Sequence, residues 1–182
     1  MIITITGNLG SGKSTVAKLL AKNLGLKHYS MGDLQRSIAK KKGITLVELQ
    51  KLEEKDASID KEVDQTQIDL GKKEDNFVID SRIGWHFIPY SIKIFLDVTE
   101  EEAARRIFNQ KREDEKYNKT LQETLKKIRE RKASEIKRYK EYYNLNYMDV
   151  SNYDLVVDTT KIPAEKVAEK ILEFIKDLNK KK

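Results

Sequence analysis

The sequence predicts a single α/β domain, spanning residues 1–182, in which a parallel sheet of five strands carries helices on both faces. Three observations predict this fold. Short β-branched segments alternate with segments of helical periodicity along the whole chain, a glycine-rich loop joins the first strand to the first helix, and no repeat or linker divides the sequence. Strands that alternate with helices form parallel sheets, because each helix returns the chain to the same edge.

The first strand and helix flank the loop. Residues 2–6 read Ile-Ile-Thr-Ile-Thr, a run typical of a buried parallel strand, and apolar residues from Val16 to Leu24 then recur at helical spacing until Gly25. Between them, residues 7–14 read Gly-Asn-Leu-Gly-Ser-Gly-Lys-Ser and fit the pattern G-x-x-x-x-G-K-[ST]. The predicted triphosphate contacts are Gly7, Asn8, Leu9, Gly10, Ser11, Gly12, Lys13, Ser14 and Thr15.

The residue types in this loop suit a nucleoside triphosphate. Glycines let backbone N–H groups converge on phosphate oxygens, and the following helix N-terminus adds a positive dipole. Lys13 is expected to reach the β- and γ-phosphates, and the Ser14 hydroxyl is expected to face Mg²⁺. The loop alone would serve an ATPase, a GTPase or a kinase.

A helical insertion separates the second and third strands. Residues 26–30 predict the second strand, and a helix follows from residue 32 to Gly43. Thr45 and Glu48 form the sequence pattern of a capping box, which predicts the start of another helix. Residues 58–70 predict a third helix, with Asp60 and Asp64 one turn apart on a face other than its apolar stripe.

The next segment predicts two strands and a helix. Residues 76–80 read as a buried strand that ends in Asp80, Arg82 lies in the loop that follows, and residues 91–98 predict the fourth strand. Thr99 and Glu102 repeat the capping-box pattern before a helix whose buried stripe is expected to be Ala103, Ala104, Ile107 and Phe108. Residues 113–119 are polar and aperiodic, which predicts a loop of the size of a flap.

The longest predicted helix covers residues 120–143. At about 100° per residue, Arg131, Glu135 and Arg138 share one face, so Glu135 is expected to hold both arginines in position. Residues 153–158 predict the fifth strand. Pro163 then starts a closing amphipathic helix.

Composition narrows the class of protein. Charged residues make up 36%, the net charge is +6, and there is no cysteine, which excludes disulfides, zinc ribbons and a thiolate nucleophile. No apolar run approaches a membrane span, and the first strand leaves no room for a signal peptide, so we expect a cytoplasmic protein. The positive charge suits nucleotides, and we expect no nucleic-acid partner because the arginines stand at defined places rather than in a patch.

Several motifs beyond the loop are shared with a known family. They are the segment of residues 30–36 ending in Arg36, the Val-Ile-Asp-Ser-Arg of residues 78–82, Lys-Ile-Phe-Leu-Asp-Val at 93–98, Arg-Arg-Ile at 105–107, the Arg-Glu, Ser-Glu and Arg-Tyr pairs of residues 129–139, and Tyr-Asp-Leu-Val-Val-Asp-Thr at 153–159. With these, the chain resembles the nucleoside monophosphate kinases, and most closely the short cytidylate kinases of archaea and some bacteria. The resemblance runs nearly end to end.

The resemblance implies a three-layer P-loop kinase fold, with an NMP-binding insertion at about residues 32–72 and a short lid at about 112–120. It implies transfer of the γ-phosphate of ATP to CMP or dCMP with Mg²⁺, in an enzyme that we expect to be a monomer. Phosphoryl transfer depends on positioning and charge neutralisation, and the attacking phosphate is already ionised, so no general base is expected. The implied catalytic residues are Lys13, Arg82, Arg112 and Arg131, supported by Arg105 or Arg106. The implied acceptor-site residues are Arg36, Arg82 and Arg138. The implied metal-site residues are Ser14 and Asp80.

Two departures from the family pattern fall where the base of the acceptor would be recognised. Ser81 stands where many relatives have glycine, and Ile83 replaces an acid of the longer bacterial enzymes. Asp60 and Asp64 are candidates to accept from the cytosine amino group, although exposed helix acids fit the same pattern. Trp85 either stacks on the base or packs beneath the insertion, and His28 and His86 are expected to be structural.

Three alternatives remain open at the level of the sequence. An adenylate kinase relative would share the scaffold and a short lid. A shikimate-type kinase would share the scaffold but would not need so many arginines for its acceptor. A P-loop ATPase in RNA or ribosome assembly would fit the basic charge of the chain.

Overall fold

The computed structural model describes residues 1–110 and 120–180. Its five strands are β1 (Ile2–Gly7), β2 (Lys27–Ser30), β3 (Phe77–Asp80), β4 (Ile92–Asp97) and β5 (Leu155–Asp158). They form one sheet in the order β2-β3-β1-β4-β5, and every neighbouring pair is parallel. The predicted five-stranded parallel sheet is therefore confirmed.

Helices cover both faces of this sheet, as expected. They are α1 (Lys13–Leu24), α2 (Met31–Lys41), α3 (Leu46–Glu53), α4 (Ala57–Lys73), α5 (Gly84–Phe87), α6 (Glu100–Asn109), α7 (Leu121–Tyr143) and α8 (Ala164–Lys180). The four-residue helix α5 lies where the sequence predicted a loop, because a single turn is too short to show periodicity. No helix in these two ranges combines the length and the apolar character that crossing a bilayer would require.

The alternation of side chains along β1 divides the core into two layers. Ile3 and Ile5 pack with apolar residues of α1 and α8 on one face. Ile2 packs on the other face with residues of α2, α3 and α4, so the three helices of the predicted insertion share a core with Phe77 and Ile79 of β3. The insertion is thus attached to the sheet by its own hydrophobic layer.

One of the two predicted capping boxes is present. Thr45 Oγ1 accepts from the Glu48 backbone N–H, and the Glu48 carboxylate accepts from the Thr45 N–H at 2.7 Å. The prediction at Thr99 is wrong, because that residue is the N-cap of α6 but makes no side-chain capping hydrogen bond. Its backbone N–H donates to Thr160 Oγ1 instead, and the Glu102 carboxylate is taken by arginines of its own helix.

The sheet order brings the chemically interesting loops together. β1 lies between β3 and β4, so the glycine-rich loop after β1 and the segment after β3 leave from the same edge of neighbouring strands. Ligands of open parallel sheets bind at this carboxyl edge. Arg82, which follows β3, is therefore carried to the loop that follows β1.

Candidate active site

The glycine-rich loop is pressed between two neighbours that leave no room for a side chain. A Cβ at Gly7, whose φ is 151°, would lie 2.2 Å from the Leu96 carbonyl oxygen of β4. A Cβ at Gly10, whose φ is 73°, would lie 2.7 Å from the Ala103 Cα of α6. Both positions require glycine for conformation and for space.

The loop ends at a helix N-terminus with unused donors. α1 begins at Lys13, and its N-cap Gly12 has a φ of 84° and offers no side-chain cap. The first backbone N–H groups of a helix have no partner within the helix, so they are available to an anion. The geometry is that of a phosphate-binding loop.

Lys13 lies folded over this loop. Its Nζ donates to the Gly7 and Asn8 carbonyl oxygens, at 3.0 Å each. Burial lowers the pKa of the Lys13 ammonium well below its usual value, and the nearby charge of Arg82 lowers it further. A bound phosphate would offset both effects, because an opposite charge favours the ionised form.

Asp80 is surrounded by hydroxyl groups and an imidazole. Its Oδ1 accepts from Ser14 Oγ at 3.1 Å and from Ser30 Oγ at 3.2 Å, and its Oδ2 lies 2.8 Å from His28 Nε2. The two residues predicted to face the metal, Ser14 and Asp80, are therefore in contact. The sequence had suggested a structural part for His28, and the ring does hold a site acid.

Glu135 is a buried carboxylate between two arginines. Oε2 accepts from Arg82 Nε at 2.8 Å, and Oε1 accepts from Arg131 Nε at 3.0 Å. Burial alone would raise the pKa of Glu135, but the charges of Arg82 and Arg131 outweigh burial and lower it to about 2. Glu135 is therefore ionised at neutral pH and fixes both guanidinium groups.

Arg82 also reaches the phosphate-binding loop. Its Nη1 donates to the Gly7 carbonyl oxygen at 2.8 Å. Burial opposes its charge, yet Glu135 raises the pKa of Arg82 above its usual value. Of the five N–H donors of a guanidinium, three are used by Glu135 and Gly7, which leaves two without a partner among the described residues.

One of the two arginine partners predicted for Glu135 is wrong. The sequence predicted that Glu135 holds Arg131 and Arg138, whereas its second arginine is Arg82, from the other side of the cleft. Arg138 points instead to the insertion, where its Nη1 donates to Asp60 Oδ2 at 2.6 Å and lies 3.1 Å from Glu53 Oε2. Residues that share a helical face are predicted to lie close together, but the sequence of one helix does not show that a residue of another element lies closer still.

Asp60 and Asp64 are buried, which corrects the alternative that they are exposed helix acids. Their relative exposures are 4% and 7%. Asp64 accepts from Tyr143 Oη and from Gln67 Nε2, the latter at 3.1 Å, while Asp60 pairs with Arg138. Burial raises the pKa of Asp64 to about 6.

The remaining predicted arginines occupy different places. Arg36 pairs with Asp33 one turn earlier on α2 and lines the cleft. Arg105 is largely exposed and pairs with Glu102. Arg106 lies under the phosphate-binding loop, where its guanidinium donates to the Gly10 and Thr159 carbonyl oxygens at 3.3 and 2.6 Å.

Two predicted site residues, Trp85 and Arg112, are not among the residues placed at the cleft. Trp85 is buried and packs edge-on against Tyr153 at 5.7 Å, and it does not line the cleft. Arg112, and with it the predicted lid apart from residue 120, lies outside the described residues.

One cleft of about 150 Å³ joins the groups described above. Its wall includes the end of the phosphate-binding loop, the insertion, the segment after β3 and α7. The predicted site residues that line it are Leu9, Gly10, Gly12, Lys13, Ser14, Thr15, Arg36, Asp60, Asp64, Asp80, Arg82, Arg131 and Arg138. Phosphate-binding and base-contacting candidates therefore meet in a single cavity.

Sequence reasoning missed two residues at the edge of this site. Glu53, the last residue of α3, is completely buried against Arg138, and nothing in its local pattern distinguishes it from the exposed Glu54. Gln67 bridges Asp64 and Ser81, so Ser81 has a side-chain partner in α4. Neither contact is local in sequence.

The chain is similar to known proteins over most of its length. The model of the cytidylate kinase-like family matches residues 2–161. A cytidylate kinase of Methanococcoides burtonii is 38% identical over 161 residues, covering 88% of this chain and 89% of the relative. A cytidylate kinase of Methanocaldococcus jannaschii is 38% identical over 185 residues, covering 99% of this chain and all of the relative.

Solved structures give the same architecture. The shikimate kinase of Bacteroides thetaiotaomicron has a TM-score of 0.69 and 17% identity over 97% of this chain and 98% of its own. The shikimate kinase of Aquifex aeolicus has a TM-score of 0.56 and 23% identity over 98% of both chains. At such identities the likeness concerns the fold alone.

Proposed function

This chain belongs to the cytidylate kinase-like family, and from that premise we propose that it transfers the γ-phosphate of ATP to CMP or dCMP, giving ADP and CDP or dCDP. One observation carries the proposal. A single cleft holds the end of the phosphate-binding loop on one side and, facing it, arginines from two further segments, the partly buried Arg82 and the buried Arg138. Such a cleft suits two phosphorylated ligands whose phosphates meet.

The donor half of the proposed site is the loop and its surroundings. Backbone N–H groups at the start of α1 bind the phosphates of ATP, and Lys13 exchanges its carbonyl partners for phosphate oxygens. Arg106 holds the Gly10 carbonyl oxygen and fixes the loop from below. Lys13 thereby neutralises charge on the phosphoryl group as it moves.

Mg²⁺ is part of this proposal, and the residues present fit it. Ser14 Oγ and Asp80 Oδ1 lie 3.1 Å apart, which offers adjacent hard oxygen ligands. No group of three or more His, Cys, Asp or Glu side chains within residues 1–110 and 120–180 forms a metal cage. Mg²⁺ commonly binds through one or two protein oxygens, substrate phosphates and water, and there it would neutralise charge on the β- and γ-phosphates.

The acceptor phosphate is proposed to bind Arg82 and Arg36. Arg82 keeps two N–H groups free, and Glu135 fixes the plane of its guanidinium. Arg131, held by the same carboxylate, neutralises the transferred phosphoryl group. The attacking oxygen of a monophosphate is ionised at neutral pH, so the protein positions it and removes no proton.

The base of the acceptor is proposed to lie against the insertion. Asp60, Asp64 and Arg138 line this part of the cleft, and a carboxylate oxygen can accept from the 4-amino group of cytosine. Trp85 has no part in the proposal, because it is packed away from the cleft. The role predicted for Arg112 stays a prediction.

The proposed function has consequences for the oligomeric state, compartment and partners of the protein. We propose a cytoplasmic monomer that acts on nucleotides and has no nucleic-acid partner. A chain without cysteine fits a reducing compartment, and the acceptor arginines line a cleft rather than an exposed face. Light scattering of the purified protein measures the oligomeric state directly.

A coupled assay of ADP release tests the function. ATP and Mg²⁺ are supplied with CMP, dCMP, UMP, AMP or shikimate in turn, and a reaction without acceptor gives the background. We expect the highest turnover with CMP and dCMP. Turnover with both that does not exceed the background would overturn the proposal, and hydrolysis stimulated by RNA would favour an ATPase instead.

A further inference from the structure

Three buried carboxyl groups face one guanidinium where α3, α4 and α7 meet. Glu53, Asp60 and Asp64 are 0%, 4% and 7% exposed, and Arg138 is 5% exposed. Burying more acids than bases costs free energy unless each group has a partner. The contacts of each carboxyl group therefore show which of these charges are compensated.

Glu53 lies behind the residues that line the cleft. Its Oε1 accepts from Gln35 Nε2 at 2.9 Å, and its Oε2 lies 3.1 Å from Arg138 Nη1. The same Nη1 donates to Asp60 Oδ2 at 2.6 Å. One nitrogen of Arg138 is thus fixed between acids of two different helices.

Glu53 Oε2 and Arg138 Nε make no hydrogen bond within the described residues, but both atoms are closed off from solvent. One acceptor and one donor stay open to a ligand. Asp60 Oδ1 and Arg138 Nη2 have no hydrogen-bond partner in the part of the chain that the structure describes, and both residues line the cleft. Because Asp60 and Arg138 are joined through their other atoms, the free acceptor and the free donor belong to one rigid pair. Glu53 is held away from the ligand and does not line the cleft.

A neighbouring acceptor and donor match one edge of cytosine. Its 4-amino group donates, and the adjacent N3 accepts. Uracil presents the reverse, with an accepting O4 beside a donating N3–H, so it would set a carbonyl against the carboxylate and an N–H against the guanidinium. When the wrong ligand would leave buried polar groups of a site without hydrogen-bond partners, the site rejects that ligand strongly.

We propose that Glu53 is a positioning residue that fixes Arg138 and Asp60 as a donor–acceptor pair selecting cytosine over uracil. The inference rests on the proposed function, since it concerns the base of the same acceptor. Burial raises the pKa of Glu53 to about 7, although Arg138 opposes the shift. A carboxyl group that is so costly to ionise is poorly suited to stability alone.

The test compares Glu53→Gln with Glu54→Gln, the neighbouring exposed acid that contacts Ser134 of α7. Initial rates with CMP and with UMP at saturating ATP give the ratio of the two kcat/KM values. In Glu53→Gln we expect this ratio to fall by about tenfold, mainly through a higher KM for CMP, with the KM for ATP changed by less than about twofold. Glu54→Gln should keep the ratio of the parent chain.

A second variant makes the test independent of how well Glu53→Gln folds. Asp60→Asn can turn an amide N–H toward O4 of uracil and so removes one of the two mismatches, the one at N3 being unchanged. We therefore expect kcat/KM for UMP to rise in absolute terms, which a damaged fold would not produce. An unchanged ratio in folded Glu53→Gln, or no rise for UMP in Asp60→Asn, would overturn the inference while CMP turnover by the parent chain upholds the proposed function. Absence of CMP turnover in the parent chain would instead overturn both.

Discussion

Arg82 and Glu135 face each other across the cleft in a two-point ion pair, with Nε 2.8 Å from Oε2 and Nη2 3.4 Å from Oε1. The pair joins the segment after β3 to α7, and Glu135 extends it to Arg131. Tyr147 Oη donates to the same carboxylate at 3.1 Å. Both guanidinium groups proposed to meet the phosphates therefore depend on one acid.

Glu135→Gln should lower both stability and catalysis. Removing one partner of a buried ion pair leaves the other charges uncompensated, so we expect a loss of about 3 kcal/mol in the free energy of unfolding at pH 7. Urea unfolding measures it. Glu130→Gln, on the exposed side of α7 and paired with Lys126 at 3.8 Å, is the matched control and should change stability by less than about 0.5 kcal/mol.

The pH dependence of this effect has a defined sign. The pKa of Glu135 is about 2 in the folded state, below its usual value of 4.5. Its stabilising contribution is present above the unfolded pKa and is lost as pH falls from about 4.5 to 2. The difference in stability between parent and Glu135→Gln should therefore shrink over this range.

Arg82→Ala should damage use of the acceptor more than binding of ATP. We expect a higher KM for CMP and a lower kcat, with kcat/KM falling about 100-fold, because a positioned guanidinium that stabilises the transition state is lost. Affinity for ATP should stay nearly unchanged in a direct binding titration. Arg129→Ala removes an exposed arginine of α7 that pairs with Glu100 and serves as the control. An equal loss of ATP affinity would contradict the clamp role.

Asp80→Asn should raise the Mg²⁺ concentration needed for half-maximal activity. The amide keeps the size of the side chain but removes the negative charge that faces Ser14. Rates measured over a Mg²⁺ series at fixed ATP give this value, and we expect an increase of about tenfold. Asp69→Asn, at an exposed position of α4, should leave the Mg²⁺ series unchanged.

Gly10→Ala should be far more costly than Gly25→Ala. Both glycines have similar positive φ values, 73° and 65°, so the conformational cost of alanine is about 1–2 kcal/mol in each. A Cβ at Gly10 also meets the Ala103 backbone at 2.7 Å, whereas a Cβ at Gly25 meets nothing within 4 Å. Thermal unfolding with and without ATP should show a lower midpoint and little stabilisation by ATP in Gly10→Ala only.

Glu53 should make the protein more stable as the pH falls from 7.5 to 5.5. Its folded pKa of about 7 exceeds the usual 4.5, so the folded state takes up a proton first and gains free energy on acidification. The gain is about 2 kcal/mol over this range, at 1.36 kcal/mol per pKa unit. Unfolding of Glu53→Gln at both pH values should show a gain that is smaller than that of the parent by about this amount, because the raised pKa of Asp64 acts in both proteins. An equal pH response in parent and variant would assign the effect to other groups, such as Asp64.

Local patterns were enough to predict the loop, the strands and most helices. The phosphate-binding loop is readable because its chemistry requires glycine, lysine and serine at fixed spacing within eight residues. The Thr45 capping box is equally local, and it was predicted correctly. Thr99 has the same pattern without the cap, because Glu102 finds arginines one turn away.

The acceptor side was less predictable because its contacts join distant segments. Asp60 is polar and lies on a helix, which suggests exposure, yet Arg138 covers it from 78 residues further along the chain. Glu135 shares a helical face with Arg138, but Arg82 from another element takes its place. Burial of a polar residue depends on which helix packs over it, and that choice is not encoded in the periodicity of either helix.

α7 carries Arg131 and Arg138 on one continuous helix. The two arginines are seven positions apart, which corresponds to a rise of about 10 Å along the helix axis. The helix thus fixes the distance between the arginine proposed to meet the transferred phosphate and the arginine proposed to meet the acceptor base. Inserting a single residue between them would turn one arginine by about 100° relative to the other, so the spacing of the two guanidinium groups cannot be changed by one residue without redirecting one of them.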